Sequence, residues 1–233
     1  MTYEAKITLP FYKVIYSMLF MVIIILVRPI SSYSEIISVL ESSVAMLAGV
    51  FMADNYHMEY MNDRISTYYL FPFKKKCTSL LKRIVISQVY LIALIAAFYW
   101  GFVLMYHPTN YSGASIAMLY IQCVCACATS MFFMAILCFT PTNLLRNIGI
   151  GIGCSFLLWL FLTSSITRIL PQLLQPFELL EEVVQDVFLT PYWPSRILYA
   201  SFAIGLLFLN LYLVNKQPDY NRKGWCKHGN KGK

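Results

Sequence analysis

Six apolar runs dominate this chain, each close to the ~20 residues a helix needs to cross about 30 Å of hydrocarbon. They are Phe11 to Val27, Ile36 to Ala53, Ile84 to Met105, Ser115 to Phe139, Ile148 to Ile166 and Ile197 to Val214. In lipid such runs must be helical, because every backbone N–H and C=O has to find its partner inside the segment. The expected fold is therefore an all-α integral membrane protein with six transmembrane helices. Composition agrees: 59% of the 233 residues are hydrophobic and 12% charged, where a soluble domain carries about 25% charged residues. The second run is the least apolar, since Glu41 interrupts it and Asp54 closes it; without it there would be five spans and the termini would lie on opposite sides. The first run is long, has no small-residue cleavage site, and is read as an uncleaved span.

Basic residues set the orientation. With six spans, one side holds 15 of the 18 lysines and arginines, and the other only Arg28, Arg168 and Arg196. Both termini are thus expected in the cytoplasm, in a multi-pass protein of the cell membrane. Glu35, Glu41, Glu178, Glu181, Glu182 and Asp186 lie outside or near it, so the net charge of +7 reports topology. Nucleic-acid binding is not expected from it. Residues 1–215 read as a single transmembrane domain and 216–233 as a basic cytoplasmic tail that either binds anionic lipid or anchors the last helix.

Two connections are long enough to carry structure of their own. From Asp54 to Arg83, on the cytoplasmic side, Met58, Met61, Ile65 and Tyr68 or Tyr69 recur at helical spacing and predict an amphipathic helix that Pro72 stops. A basic cluster follows, and Thr78 or Ser79 is available to N-cap the third span. From Thr167 to Pro194, on the external side, Phe177, Leu180 and Val184 share one face of a short helix, with Glu178 and Glu182 opposite. Together with the apolar "ITRILPQLL" before it, this predicts an external re-entrant helical hairpin between helices 5 and 6. The link "TPTNLLRN" reads as a short cytoplasmic turn.

The chemistry-bearing residues exclude more than they suggest. There is no GxxxxGK[ST] loop to cradle ATP phosphates and no HExxH pair. His107 is external while His57 and His228 are cytoplasmic, so the three histidines cannot share a metal. Cys123, Cys125 and Cys127 sit in a span, where Cys125 turns away from the other two and all three read as small packing residues. Gly149 and Gly153 form a GxxxG face suited to close helix contact, within the fold or with a second copy. Glu41 is the acid expected deepest in the membrane, so contact with a substrate or cation is the first reading. The alternative is a helix that starts later and leaves it among headgroups. His57 and Cys77 share the cytoplasmic loop and leave open a Cys/His membrane peptidase, although the lysines beside Cys77 explain a reactive thiol without catalysis.

The order of features in that loop resembles the permeases of the type 2 (ABC-2) export family of ABC transporters. Glu59, the bulky run "STYYLFP" ending at Pro72, the basic residues after it and Lys82 before the third span follow the family's spacing. So do six spans with both termini inside and an external hairpin before the last. The chain departs from the pattern in having Asp63 or Arg64 where a glycine often stands, and only a short segment before Pro10. The resemblance implies a permease domain whose coupling helix docks on a separate ATP-binding cassette subunit. Tyr68, Tyr69, Phe71 and Phe73 would be the anchors, with Glu59, Arg64, Lys74, Lys75, Lys76 and Lys82 around them. It implies a second permease copy, identical or related, with Glu41, Phe177, Glu178, Glu181 and Glu182 along the substrate path or outer gate. No cofactor would be held by this chain, and ATP and Mg would sit on the partner. The cargo would be an amphiphile: an antimicrobial peptide, drug or lipid-like molecule. The rival readings are the Cys/His peptidase and a non-enzymatic membrane partner or channel.

Overall fold

A computed structural model describes residues 2–53, 72–109, 115–145, 147–164 and 192–216, and nearly all of them are helical. The helices are α1 (Thr2–Thr8), α2 (Phe11–Val27), α3 (Tyr33–Ala53), α4 (Phe73–Tyr106), α5 (Ile116–Leu145), α6 (Ile148–Thr163) and α7 (Tyr192–Lys216). The expected coupling helix before Pro72 and the external hairpin lie outside the described residues. Four helices, α3, α4, α5 and α7, are long and apolar enough to cross a membrane. α2 and α6 are apolar but, at 17 and 16 residues, shorter than the usual span.

Local chemistry explains where the helices begin and end, and corrects several expected boundaries. α2 stops at Arg28, which is extended (φ −110°, ψ 99°) ahead of Pro29. α3 begins earlier than the apolar run, because Ser32 and Glu35 close a capping box. The Glu35 carboxylate accepts from the backbone N–H groups of Ser31 (2.7 Å) and Ser32 (3.3 Å), and the Ser32 hydroxyl accepts from Glu35 N. The helix therefore does not start late, and Glu41 lies well inside it.

α4 starts directly after Pro72, eleven residues before the expected third span, since nothing in "FKKKCTSLLKR" breaks a helix. Thr78 and Ser79 are therefore not caps: Thr78 Oγ1 donates to Lys74 O within the helix (2.7 Å) and Ser79 turns to α1. α4 ends at His107, left-handed at φ 45°, immediately before Pro108. α5 runs through most of the expected turn "TPTNLLRN". Pro141 removes the N–H that would reach Leu137 O, while Thr140 and Thr142 donate to the carbonyls of Ile136 (2.8 Å) and Cys138 (2.9 Å) on either side.

α3 and α5 form the centre of the bundle, with α4, α6 and α7 packed around them. α3 buries 14 of its 21 residues, among them Leu40, Val44, Ala48 and Phe51, so the least apolar run is the most enclosed helix. α2 lies along α4 and is joined to it by Ser17 Oγ to Tyr90 Oη (2.7 Å) and Tyr106 Oη to Ile25 O (2.6 Å). Lys13, fully buried, crosses from α2 to donate to Phe51 O (3.1 Å), one of the last carbonyls of α3, where the helix dipole favours a cation. At the opposite end of the bundle, Thr109 N donates to Ser31 O (2.9 Å) and ties the end of α4 to the start of α3.

The expected GxxxG contact is not made within the described residues. Nothing lies within 4 Å of a Cβ built on Gly153, and Gly149 meets only its own cap, Asn147. Close approach falls instead on Gly151, two residues round the helix, whose added Cβ would overlap the Thr142 hydroxyl and stand 2.9 Å from Thr142 Cβ and 3.2 Å from its Cα. Gly151→Ala is therefore expected to cost about 1–3 kcal/mol of stability through overpacking. Gly153→Ala should be neutral or slightly stabilising; thermal unfolding in one detergent compares the two.

Candidate functional site

Two polar constellations stand out among the described residues. The first is inside the bundle. Glu41 lies eight residues into α3, about 12 Å along its axis at 1.5 Å per residue, and is 0% exposed. Its Oε1 accepts a hydrogen bond from the Ser130 hydroxyl of α5 and forms an ion pair with the Arg196 guanidinium of α7, whose Nη2 lies 2.6 Å away. Arg196 Nη1 also donates to Ser130 Oγ at 2.6 Å, so one hydroxyl gives a proton to the acid and accepts one from the base. Glu41 Oε2 is buried and takes no hydrogen bond among the described residues. Cys123 and Cys127, one turn apart on α5, are buried nearby while Cys125 is exposed, as their spacing predicts.

Three helices are thus joined by one ion pair. α7 packs on α5, and Arg196 stretches across to α3; below it Tyr199 and Ala203 meet Ala45, Phe133 and Met134. Toward the other end of α7, Asn210 donates to Thr140 Oγ1 (2.8 Å) and receives Asn143 Nδ2 at 3.2 Å. α6 is tied in by Trp159 Nε1 donating to Ser42 O (2.9 Å).

The second constellation is at the Pro72 end. Pro72, Phe73, Lys74 and Lys75 are exposed on the first turn of α4, as is Lys82 further on. Lys76 is not part of that surface: it is buried on the face that also carries Leu80, Arg83 and Ile84. α1 packs against this face. Glu4 accepts from Ser79 Oγ (2.7 Å) and from Arg83 Nε (2.9 Å). Burial pushes the Glu4 carboxyl up, but the Ser79 hydroxyl, the Arg83 guanidinium and the Lys82 charge outweigh it and hold it below the usual carboxylate value.

Of the residues singled out in the sequence, Glu41 is placed at the centre of a polar cluster and Phe73, Lys74, Lys75 and Lys82 on an exposed surface. Glu59, Arg64, Tyr68, Tyr69, Phe71, Phe177, Glu178, Glu181 and Glu182 lie outside the described residues, as does His57, while Cys77 is half-buried on α4. Sequence reasoning missed Ser130 and Arg196 as partners of Glu41. It also missed Glu4 as the partner of Arg83, and Lys13 as the cap of α3. A signal existed for the first: an acid inside a span calls for a base at similar depth, and Arg196 opens the last apolar run. No group of three or more His, Cys, Asp or Glu residues suited to a metal occurs among the described residues. No protein-family model matches the chain, no curated protein matches its sequence, and no solved structure matches its fold.

Two outcomes are expected. Glu41→Ala or Arg196→Ala, each leaving its partner's charge buried alone, should cost about 3–5 kcal/mol, against about 1–2 kcal/mol for Ser130→Ala; thermal unfolding in lipid nanodiscs measures the difference. The Glu4 contact is favoured above the ordinary carboxylate value of 4.5 and is lost as pH falls through the depressed value. Proteolysis of α1 should therefore rise in the wild type only as pH falls through the depressed value, below the ordinary 4.5, and should be fast and independent of pH in Glu4→Gln.

Proposed function

We propose that this chain is the membrane permease subunit of a bacterial ABC exporter of the type 2 class, moving an amphiphilic substrate outward with ATP hydrolysed on a separate subunit. The observation that carries the reading is the Pro72 end of α4. An exposed aromatic and exposed lysines open the helix immediately after the loop whose Glu59, bulky run and Pro72 follow the family's order. Aromatic anchors ringed by cations are the make-up of a docking surface for an acidic groove.

In this reading α2 and α6 also cross the bilayer, giving six spans with both termini in the cytoplasm of a plasma-membrane protein. α1 is a short form of the family's N-terminal elbow. Residues 54–71 are the coupling segment, and closure of the ATPase dimer pushes it against α4. A second permease copy completes the path, and residues 165–191, with Phe177, Glu178, Glu181 and Glu182, form the outer gate. Glu41 acts on the path through Arg196 and not as a free carboxylate. The cargo is an antimicrobial peptide, drug or lipid-like amphiphile.

The test is purification of the tagged chain from its native membrane in mild detergent, followed by reconstitution. A P-loop ATPase subunit should copurify, and its ATP turnover should depend on this chain. Phe73→Ala, the charge reversal Lys74→Glu with Lys75→Glu, and Tyr68→Ala with Tyr69→Ala should each lower that turnover about tenfold or more without changing membrane insertion. Absence of any ATPase subunit, with peptide cleavage that Cys77→Ser abolishes, would replace the exporter by a membrane peptidase.

A further inference from the structure

α7 is gripped unevenly. Ile197, Phe202, Phe208 and Tyr212 are exposed, Leu206, Leu207 and Leu211 pack on the main core toward the Asn210 end, and the described polar and aromatic contacts include Arg196 on Glu41 and Ser130, the small cluster around Tyr199 and Ala203, and Asn210 on Asn143 and Thr140. Only the first reaches α3 with a charge. Arg196 stands in the second turn of α7, just after residues 165–191, so it governs how the outer end of this helix sits.

As plain glue, the ion pair is a poor choice. A buried pair of this kind contributes about as much net stability as two apolar side chains of similar volume, or less, and its best-attested use is in register and switching. The contact also falls short of the strongest form open to it. A carboxylate and a guanidinium can join through two parallel hydrogen bonds, yet here Arg196 and Ser130 share Oε1 while the buried Oε2 accepts from no described group. A long cationic side chain near a helix end can also withdraw along its own stem toward the interface, whereas Glu41, in the middle of α3, has no such exit.

We propose that Glu41, Ser130 and Arg196 form a releasable clasp. α7 rocks on α5, with the Asn210 contacts as pivot, between a major state in which Arg196 holds Glu41 and a minor one in which the guanidinium has withdrawn and Glu41 keeps only Ser130. The clasp works within this chain alone, so it stands or falls separately from the exporter reading.

Hydrogen–deuterium exchange on the full chain in lipid nanodiscs tests it. In the wild type, amides 194–200 of α7 should exchange about tenfold or more faster than amides 37–45 of α3, because the outer turns of α7 open while the core stays shut. Glu41→Leu with Arg196→Leu, which removes both charges, should keep the fold and slow α7 to within about twofold of α3. Exchange of 194–200 as slow as α3 in the wild type would overturn the clasp, as would a folded double variant whose α7 exchanges as fast as before. Should the double variant fail to fold, the wild-type comparison decides alone.

Discussion

A carboxylate two turns inside an apolar bundle has no water to turn to, and the arrangement of α3, α5 and α7 follows from that constraint. Glu41 on α3 needs donors, and among the described residues those that meet its Oε1 are a hydroxyl from α5 and a guanidinium from α7. Once those three positions are brought to one point, the relative heights of the three helices are set to within a turn, because a one-turn slip moves a side chain by about 5.4 Å. Apolar packing alone would not be so exacting: in lipid it gives little reason to prefer one register over another, since hydrocarbon tails are as apolar as leucine. The pair at Asn143 and Asn210 gives α5 and α7 a second register mark nearer their other ends.

How much of this could be read from the sequence depended on what each helix faces. Helices with much of their apolar surface exposed, such as α2 and α7, announce themselves through long apolar runs. α3 was the weakest candidate by the same criterion and proved the most enclosed. A helix at the centre meets other helices and not lipid, so small and polar residues such as Ser42, Ala45, Ala48 and Gly49 serve it better than leucine. Its beginning was nonetheless written out in Ser32-Tyr33-Ser34-Glu35, where the capping-box spacing is explicit. The beginning of α4 is hidden for the opposite reason: Thr78 and Ser79 offer candidate N-caps beside the apolar run, although lysine is a good helix former and only Pro72 forbids continuation.

The candidate site divides in the same way. Glu41 was legible because an acid in an apolar run is conspicuous. Its partners were not, because Ser130 is one of many hydroxyls in spans and Arg196 falls at the rim of its run, where positive charge has an ordinary explanation in topology. Long-range pairing of this kind, across 89 residues for Ser130 and 155 for Arg196 (196 minus 41), leaves no periodic trace in a single sequence. The exposed turn at Pro72, by contrast, was visible as composition, and only the inward rotation of Lys76 needed coordinates.

The length of α4 has a mechanical consequence. Thirty-four residues in one unbroken helix make a rod of about 51 Å, without an internal proline to bend it. One end carries Phe73 and the lysines, with α1 strapped to its side; the other ends at His107, from which two residues lead to the strap between Thr109 and Ser31. Helices of this kind are stiff along their axis and soft at their joints. A push on the Phe73 end would therefore be delivered nearly undiminished to the point where α3 begins, the helix that carries Glu41, and the chain has in α4 a strut running past the whole core that it connects.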